Sequence, residues 1–213
     1  MREVILDTET TGLSPASGHR LVDIGCVEIY SGRPTGQIFQ QYINPERDMP
    51  AEAFAVHGLG REFLSTFPTF QKIFQDFLNF IQDSTLVIHN ARFDMAFLNA
   101  ELARVQVPAL TNTIVDTLKL AKQRFPGAPA SLDSLCRRLH IDLKKRTQHG
   151  ALLDAHLLAQ VYPALREKTI LQWTETPIVR AQHKRTAKKP RTFELSLEEV
   201  RAYAALRETL GVK

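Results

Sequence analysis

At 213 residues, with 44% hydrophobic and 23% charged side chains, the chain has room for one substantial core plus an appendage, in the balance of an ordinary soluble globular protein. No apolar run approaches the length of a membrane span. The start "MREVILDTET" enters a strand without the regions of a secretion signal, so neither insertion nor export is expected. The net charge of +4 is unevenly placed: residues 1–167 hold 17 Lys+Arg against 18 Asp+Glu, and residues 168–213 hold 10 against 5. The surplus belongs to the tail, so a main domain that binds nucleic acid must rely on metal ions or local basic patches. Cys26 and Cys136 stand far apart in apolar settings without C-x-x-C spacing, as reduced core residues of a cytoplasmic protein would.

In chain order, Val4–Leu6 is a short apolar strand that runs into "DTETTGL". "RLVDIGCVEI" and "QIFQQYINP" are β-rich runs joined through the turn "YSGRPTG", and the three strands predict an antiparallel meander. Phe70, Ile73, Phe74, Phe77, Leu78 and Ile81 fall at helical spacing and predict a helix whose phenylalanines are core contacts. The strand "TLVIHN", the helix "ARFDMAFLNAELARVQV" closing before Pro108, and a last strand "TIVDT" follow. "ASLDSLCRRLHID" predicts a helix capped by Ser131, and "HGALLDAHLLAQVYPALR" the last helix of the domain. This order predicts an α/β fold, a mixed sheet with helices on its faces.

After about Arg166 the texture changes. The stretch 167–193 has little periodicity and six Lys/Arg between Arg180 and Arg191, which predicts a flexible basic linker. Residues 194–213 predict a short helix with a Ser196/Glu199 capping box, Gly211 at its C-cap, and an apolar stripe of Val200, Tyr203, Leu206 and Leu210. A lone helix of this kind needs a surface to dock on, and the linker favours a partner protein.

Alternation along a strand sends Asp7 and Glu9 to one side, where like charges repel unless a cation lies between them. Asp94, after "LVIHN", and Asp154, five residues beyond His149, stand at further strand ends or helix starts, where functional groups gather in open α/β sheets. Together the four acids offer hard oxygen ligands to two divalent ions, Mg²⁺ or Mn²⁺, which at a spacing of about 3.5–4 Å activate a water and stabilise the leaving oxygen of a phosphodiester. His149 is suited to accept that water's proton near neutral pH. Asp23, Asp116, Asp133 and Asp142 compete as acids but have ready roles at strand edges and caps. The histidines show no H-e-x-x-H pairing that would indicate zinc, and no G-x-G-x-x-G or Walker-type loop indicates a nucleotide cofactor.

"DTETTGL", "VIHNARFD" and "KRTQHGALLDAHLLAQVY" are similar, in order and distance, to the three motifs of the DEDDh 3′→5′ exonuclease family. The likeness extends through "PAEAFAVHGLG" and "RFPGAPASLDSLCRRLHIDLKKRT", covers about residues 2–165, and lies closest to the proofreading branch that serves bacterial DNA polymerase III. It implies a ribonuclease-H-like exonuclease domain over 1–166 that releases nucleoside monophosphates from single-stranded or frayed 3′ DNA ends. Carried over motif by motif, Asp7, Glu9, Asp94 and Asp154 are metal ligands and His149 the general base, while Glu52 and His57 contact the terminal nucleotide. Leu13, Val56 and Phe93 flank that place and offer apolar and stacking surface to a frayed base. The resemblance also implies a bacterial cytoplasmic replication complex, with the C-terminal helix on the polymerase's catalytic (alpha) subunit. A sliding clamp and a small accessory subunit are further partners of that family, although "TILQWTETP", with Trp173, lacks a clear clamp-binding pattern. An RNA-processing 3′ exonuclease and a non-catalytic tether are the alternatives; the tail helix argues against the first, the full acid set against the second.

Overall fold

The computed structural model describes residues 1–144 and 148–166. The predicted linker 167–193 and docking helix 194–213 lie outside the described residues.

The strands β1 (Arg2–Thr10), β2 (Leu21–Tyr30), β3 (Arg33–Tyr42), β4 (Thr85–Ile88) and β5 (Ile114–Asp116) form a sheet in the order β3-β2-β1-β4-β5. β1, β2 and β3 are antiparallel neighbours, and β4 joins β1 and β5 in parallel, so the sheet is mixed as expected. The β2–β3 hairpin turns on Ser31 and Gly32, both at positive φ (49° and 81°), the backbone that tight two-residue turns demand. β1 is longer than the apolar run Val4–Leu6 indicates: it continues through Glu9, so both acids lie within the strand.

Alternation on β1 divides the core. Val4 and Leu6 face one layer, where α3 (Phe70–Ile81) contributes Phe70, Ile73, Phe77 and Ile81, and α4 (Ala91–Arg104) contributes Phe97, Leu98 and Leu102. Ile5 faces the other, with α6 (Leu132–Arg138) and α7 (Ala151–Arg166). Ser131 caps α6 as predicted, its hydroxyl accepting from the Ser134 N–H, and Cys26 and Cys136 are buried free thiols.

Three helices depart from the sequence expectation, which placed none there: α1 (Ala51–His57), α2 (Arg61–Ser65) and α5 (Thr117–Arg124). Each is at most eight residues long, and α5 buries only Thr117 and Ala121, too little to draw an apolar stripe. No helix among the described residues is long and apolar enough to cross a membrane.

Candidate active site

α7 completes the site, and the sheet holds it at both ends. Tyr162 donates to Glu3 Oε1 at 2.8 Å and Arg166 to Glu3 Oε2 at 2.9 Å, tying its last turns to the start of β1. At the other end the Ala151 N–H donates to Asp23 Oδ2 at 3.1 Å. Gly25, opposite Asp7 in the β1–β2 register, admits the helix there: a Cβ on Gly25 would stand 2.1 Å from Leu152 N and 2.2 Å from the Ala151 carbonyl carbon. Asp154 therefore arrives in the first turn of a helix seated directly on the sheet, where the helix dipole favours a carboxylate.

Asp7 and Glu9 share the parity of Ile5 and leave β1 toward α7, whereas Thr8 shares that of Leu6 and faces α4. The Thr8 hydroxyl donates to Asp94 Oδ1 at 2.7 Å, fixing that acid in the first turn of α4. α4 begins behind Asn90, whose left-handed backbone (φ 66°) asparagine tolerates well and whose N–H donates to Asp116 Oδ1.

All five predicted residues, Asp7, Glu9, Asp94, His149 and Asp154, line one cleft of about 640 Å³. Ligand atoms of Glu9, His149 and Asp154 lie within 4.8 Å of one another, and His149 Nδ1 stands 3.2 Å from Asp154 Oδ2. Asp7 and Asp94 line the same cleft without joining that trio. Asp154 and Asp94 are buried and the His149 side chain is 47% exposed, so the acids form the floor and the imidazole the rim. Burial pushes the Asp94 carboxyl up from its ordinary value, against the lowering hydrogen bond from Thr8. Carboxylate oxygens that gain little from water and crowd together are a donor set fitted to a hard divalent cation, whose charge would favour their ionised forms.

Next to the cleft, and sharing Thr8, Glu9 and Phe93 with it, is a pocket of about 480 Å³. Its lining includes Leu13, Glu52, Val56, His57 and Phe93, expected around the terminal nucleotide, and Glu9; Asp7 and Asp154, expected to meet the substrate as well, line the cleft. Leu13 is 87% exposed, a large apolar side chain held in water at the mouth. His57 is buried; its Nδ1 accepts from the Leu59 N–H, which places the proton on Nε2, 3.3 Å from the Thr10 carbonyl oxygen. Burial lowers its pKa, so it offers the pocket a neutral ring whose nitrogens are both engaged.

Of the competing acids, Asp116 caps α5 and Asp142 accepts from the Lys144 N–H in a turn. Asp23 holds the start of α7, with burial pushing its carboxyl up to about 7 against the Ala151 hydrogen bond. Asp133 lines the cleft from the first turn of α6. The sequence reading missed Thr8 and Gly25. Strand parity already set Thr8 opposite its two acidic neighbours, but nothing local shows that α4 meets it there.

A family model described as Exonuclease matches residues 4–162. The chain is 56% identical over 170 residues to the DNA polymerase III subunit epsilon of Rickettsia prowazekii (strain Madrid E), a match covering 78% of this chain and 74% of that one. It is 46% identical over 173 residues to the subunit of the same name from Escherichia coli (strain K12), covering 77% and 71%. In structure it resembles the nuclease domain of 3′hExo, a DEDDh family member solved bound to rAMP, with a TM-score of 0.65 at 18% identity over 78% of this chain and 90% of the other. That last likeness concerns the fold.

Proposed function

The chain belongs to the exonuclease family, and on that premise we propose that it is the proofreading 3′→5′ exonuclease of a bacterial replicative DNA polymerase, hydrolysing the last phosphodiester of a single-stranded or frayed 3′ end. The observation that carries the reading is the meeting of Glu9, His149 and Asp154 ligand atoms within 4.8 Å, beside a pocket with an apolar rim. The names of relatives at 46–56% identity support the polymerase setting.

Family membership implies divalent-metal dependence, and the donor set fits it: Asp7, Glu9, Asp94 and Asp154 would hold two ions, Mg²⁺ or Mn²⁺. Such ions polarise the phosphoryl oxygens and lower the pKa of a bound water. His149, with Nδ1–H directed at Asp154, keeps its lone pair on Nε2, and that atom takes the proton of the attacking water. Thr8 holds Asp94 in place, and the Glu3 and Asp23 contacts hold α7, so the ligands are fixed before substrate arrives. Leu13, Val56 and Phe93 give the terminal base sequence-tolerant apolar surface, with Glu52 and His57 behind them. A mispaired end costs less to unstack than a paired one, so more of it reaches the pocket, and the site need not identify the base.

The polymerase's catalytic (alpha) subunit is the partner we assign to the C-terminal segment 194–213, with the clamp and an accessory subunit as further partners, in the cytoplasm. The test uses 5′-labelled single-stranded DNA and RNA of one sequence with Mg²⁺, Mn²⁺ or EDTA, beside Asp154→Ala. A metal-dependent ladder from the 3′ end of DNA, absent in the variant, is expected. Trimming of RNA alone would replace the reading with RNA processing, and no cleavage of either would leave a tether.

A further inference from the structure

The N-terminal ends of α4 and α5 border a second groove, of about 650 Å³, that continues from the acidic cleft through the shared residues Asn90 and Leu118. Arg92 lines it from the start of α4; Lys119 and Lys122, three residues apart and hence on one face, line it from α5. All three are exposed, and among the described residues none is paired with a carboxylate. The acid in the groove, Asp116, directs Oδ1 at the backbone N–H groups of Asn90, Leu118 and Lys119, at 3.3, 3.0 and 3.4 Å. It forms no ion pair with the three cations, and its single negative charge leaves the groove a net positive lining. Residues 1–167 carry one more acid than base, 18 against 17, so three unpaired cations beside an acidic cleft are a local concentration against the domain's balance.

We infer that this groove holds the sugar–phosphate backbone of the strand being shortened, on the 5′ side of the phosphodiester in the cleft, with Arg92, Lys119 and Lys122 on successive phosphates. Phosphate contacts fix position and carry no sequence information, which suits an enzyme that must accept any sequence. The acidic cleft repels a polyanion, and cations one step away along the strand offset that repulsion where the strand first needs holding. The inference rests on the nuclease reading in taking the cleft as the place where the last phosphodiester is cut.

The test compares the full chain with Lys119→Gln/Lys122→Gln, two exposed positions outside the cleft and on a helix that glutamine suits. Binding of a fluorescent single-stranded DNA decamer is followed by anisotropy in EDTA across a salt series, and hydrolysis of the decamer and of a dinucleotide is followed with Mg²⁺. Two lost phosphate contacts should reduce the slope of log affinity against log salt by about 1.4. KM for the decamer should rise several-fold while kcat and turnover of the dinucleotide, too short to reach the groove, stay unchanged. An unchanged slope and KM would overturn the inference, as would an equal loss of turnover on the dinucleotide. A reduced slope in the variant, with a wild-type protein that cleaves neither substrate, would uphold the groove and reject the nuclease reading instead.

Discussion

Gly25→Ala places one methyl group where the sheet and α7 touch. The added Cβ would lie 2.1 Å from Leu152 N, 2.2 Å from the Ala151 carbonyl carbon and 2.4 Å from Leu152 Cα, and ordinary contact begins near 3.4 Å. All three neighbours are backbone, so no rotamer change relieves the clash, and the first turn of α7 must withdraw by more than 1 Å. Asp154 lies in that turn and moves with it, away from the sheet and from Glu9. Misplacing a reacting group by about 1 Å costs on the order of 10²-fold in rate, whereas overpacking costs about 1–3 kcal/mol of stability, which a domain anchored also through Glu3 survives. The assay pairs the Mg²⁺-dependent rate on a 5′-labelled oligonucleotide with urea unfolding. Gly60→Ala serves as control, because its Cβ meets only the Phe54 ring, at 3.6 Å. The expected result is a rate down about 100-fold in protein that remains folded. A wild-type rate in Gly25→Ala, or a loss matched by the unfolded fraction, would refute the claim that the backbone contact positions Asp154.

Replacing His149, the proton acceptor we propose, by Gln should lower kcat by about 10²–10⁴-fold near neutral pH with little change in fold, read by steady-state kinetics and circular dichroism. Arg20→Leu leaves the buried Glu101 carboxylate, whose oxygens Arg20 engages at 2.5 and 2.8 Å, without its guanidinium, and should cost about 3–5 kcal/mol in urea unfolding. Asp23 carries a folded-state pKa raised from 3.8 to about 7, so between those values the native state holds the extra proton and stability falls as pH rises through the window. Asp23→Asn keeps an acceptor for the Ala151 N–H but cannot ionise, and its loss of stability between pH 5 and 8 should be smaller than the wild type's; equal slopes in urea unfolding at the two pH values would contradict the assignment.

All five strands were legible because each carries its own signal: alternation, β-branched runs, and a turn built on Ser31 and Gly32. The Phe stripe of α3 was legible for the same reason, since Phe70, Ile73, Phe77 and Ile81 are the residues that the helix buries. α5 was not, although Asp116 at its N-cap and Lys122 and Arg124 in its last turn are the marks of a short helix. Without an apolar stripe those marks are indistinguishable from a charged loop. The acids were legible as types and spacings. Their supports were not, because Thr8 and Asp94 are 86 residues apart and Asp23 and Ala151 are 128 apart, and no local pattern encodes such a contact.

The division of labour among the four acids explains why a strand bearing like charges is stable. Two come from one β1 face; the other two enter from the first turns of α4 and α7, where each helix dipole lowers the cost of a negative charge. Thr8, between Asp7 and Glu9, spends its hydroxyl on Asp94 and so joins the acids on the two sides of the sheet. Glu9 and Asp154 still crowd their oxygens within 4.8 Å of one another, a repulsion that a divalent cation between them would offset. The scaffold's own contacts, Glu3 with Tyr162 and Arg166, and Asp23 with Ala151, hold α7 without any ligand from the cleft. A divalent metal would therefore complete the chemistry of a site whose shape the chain has already set.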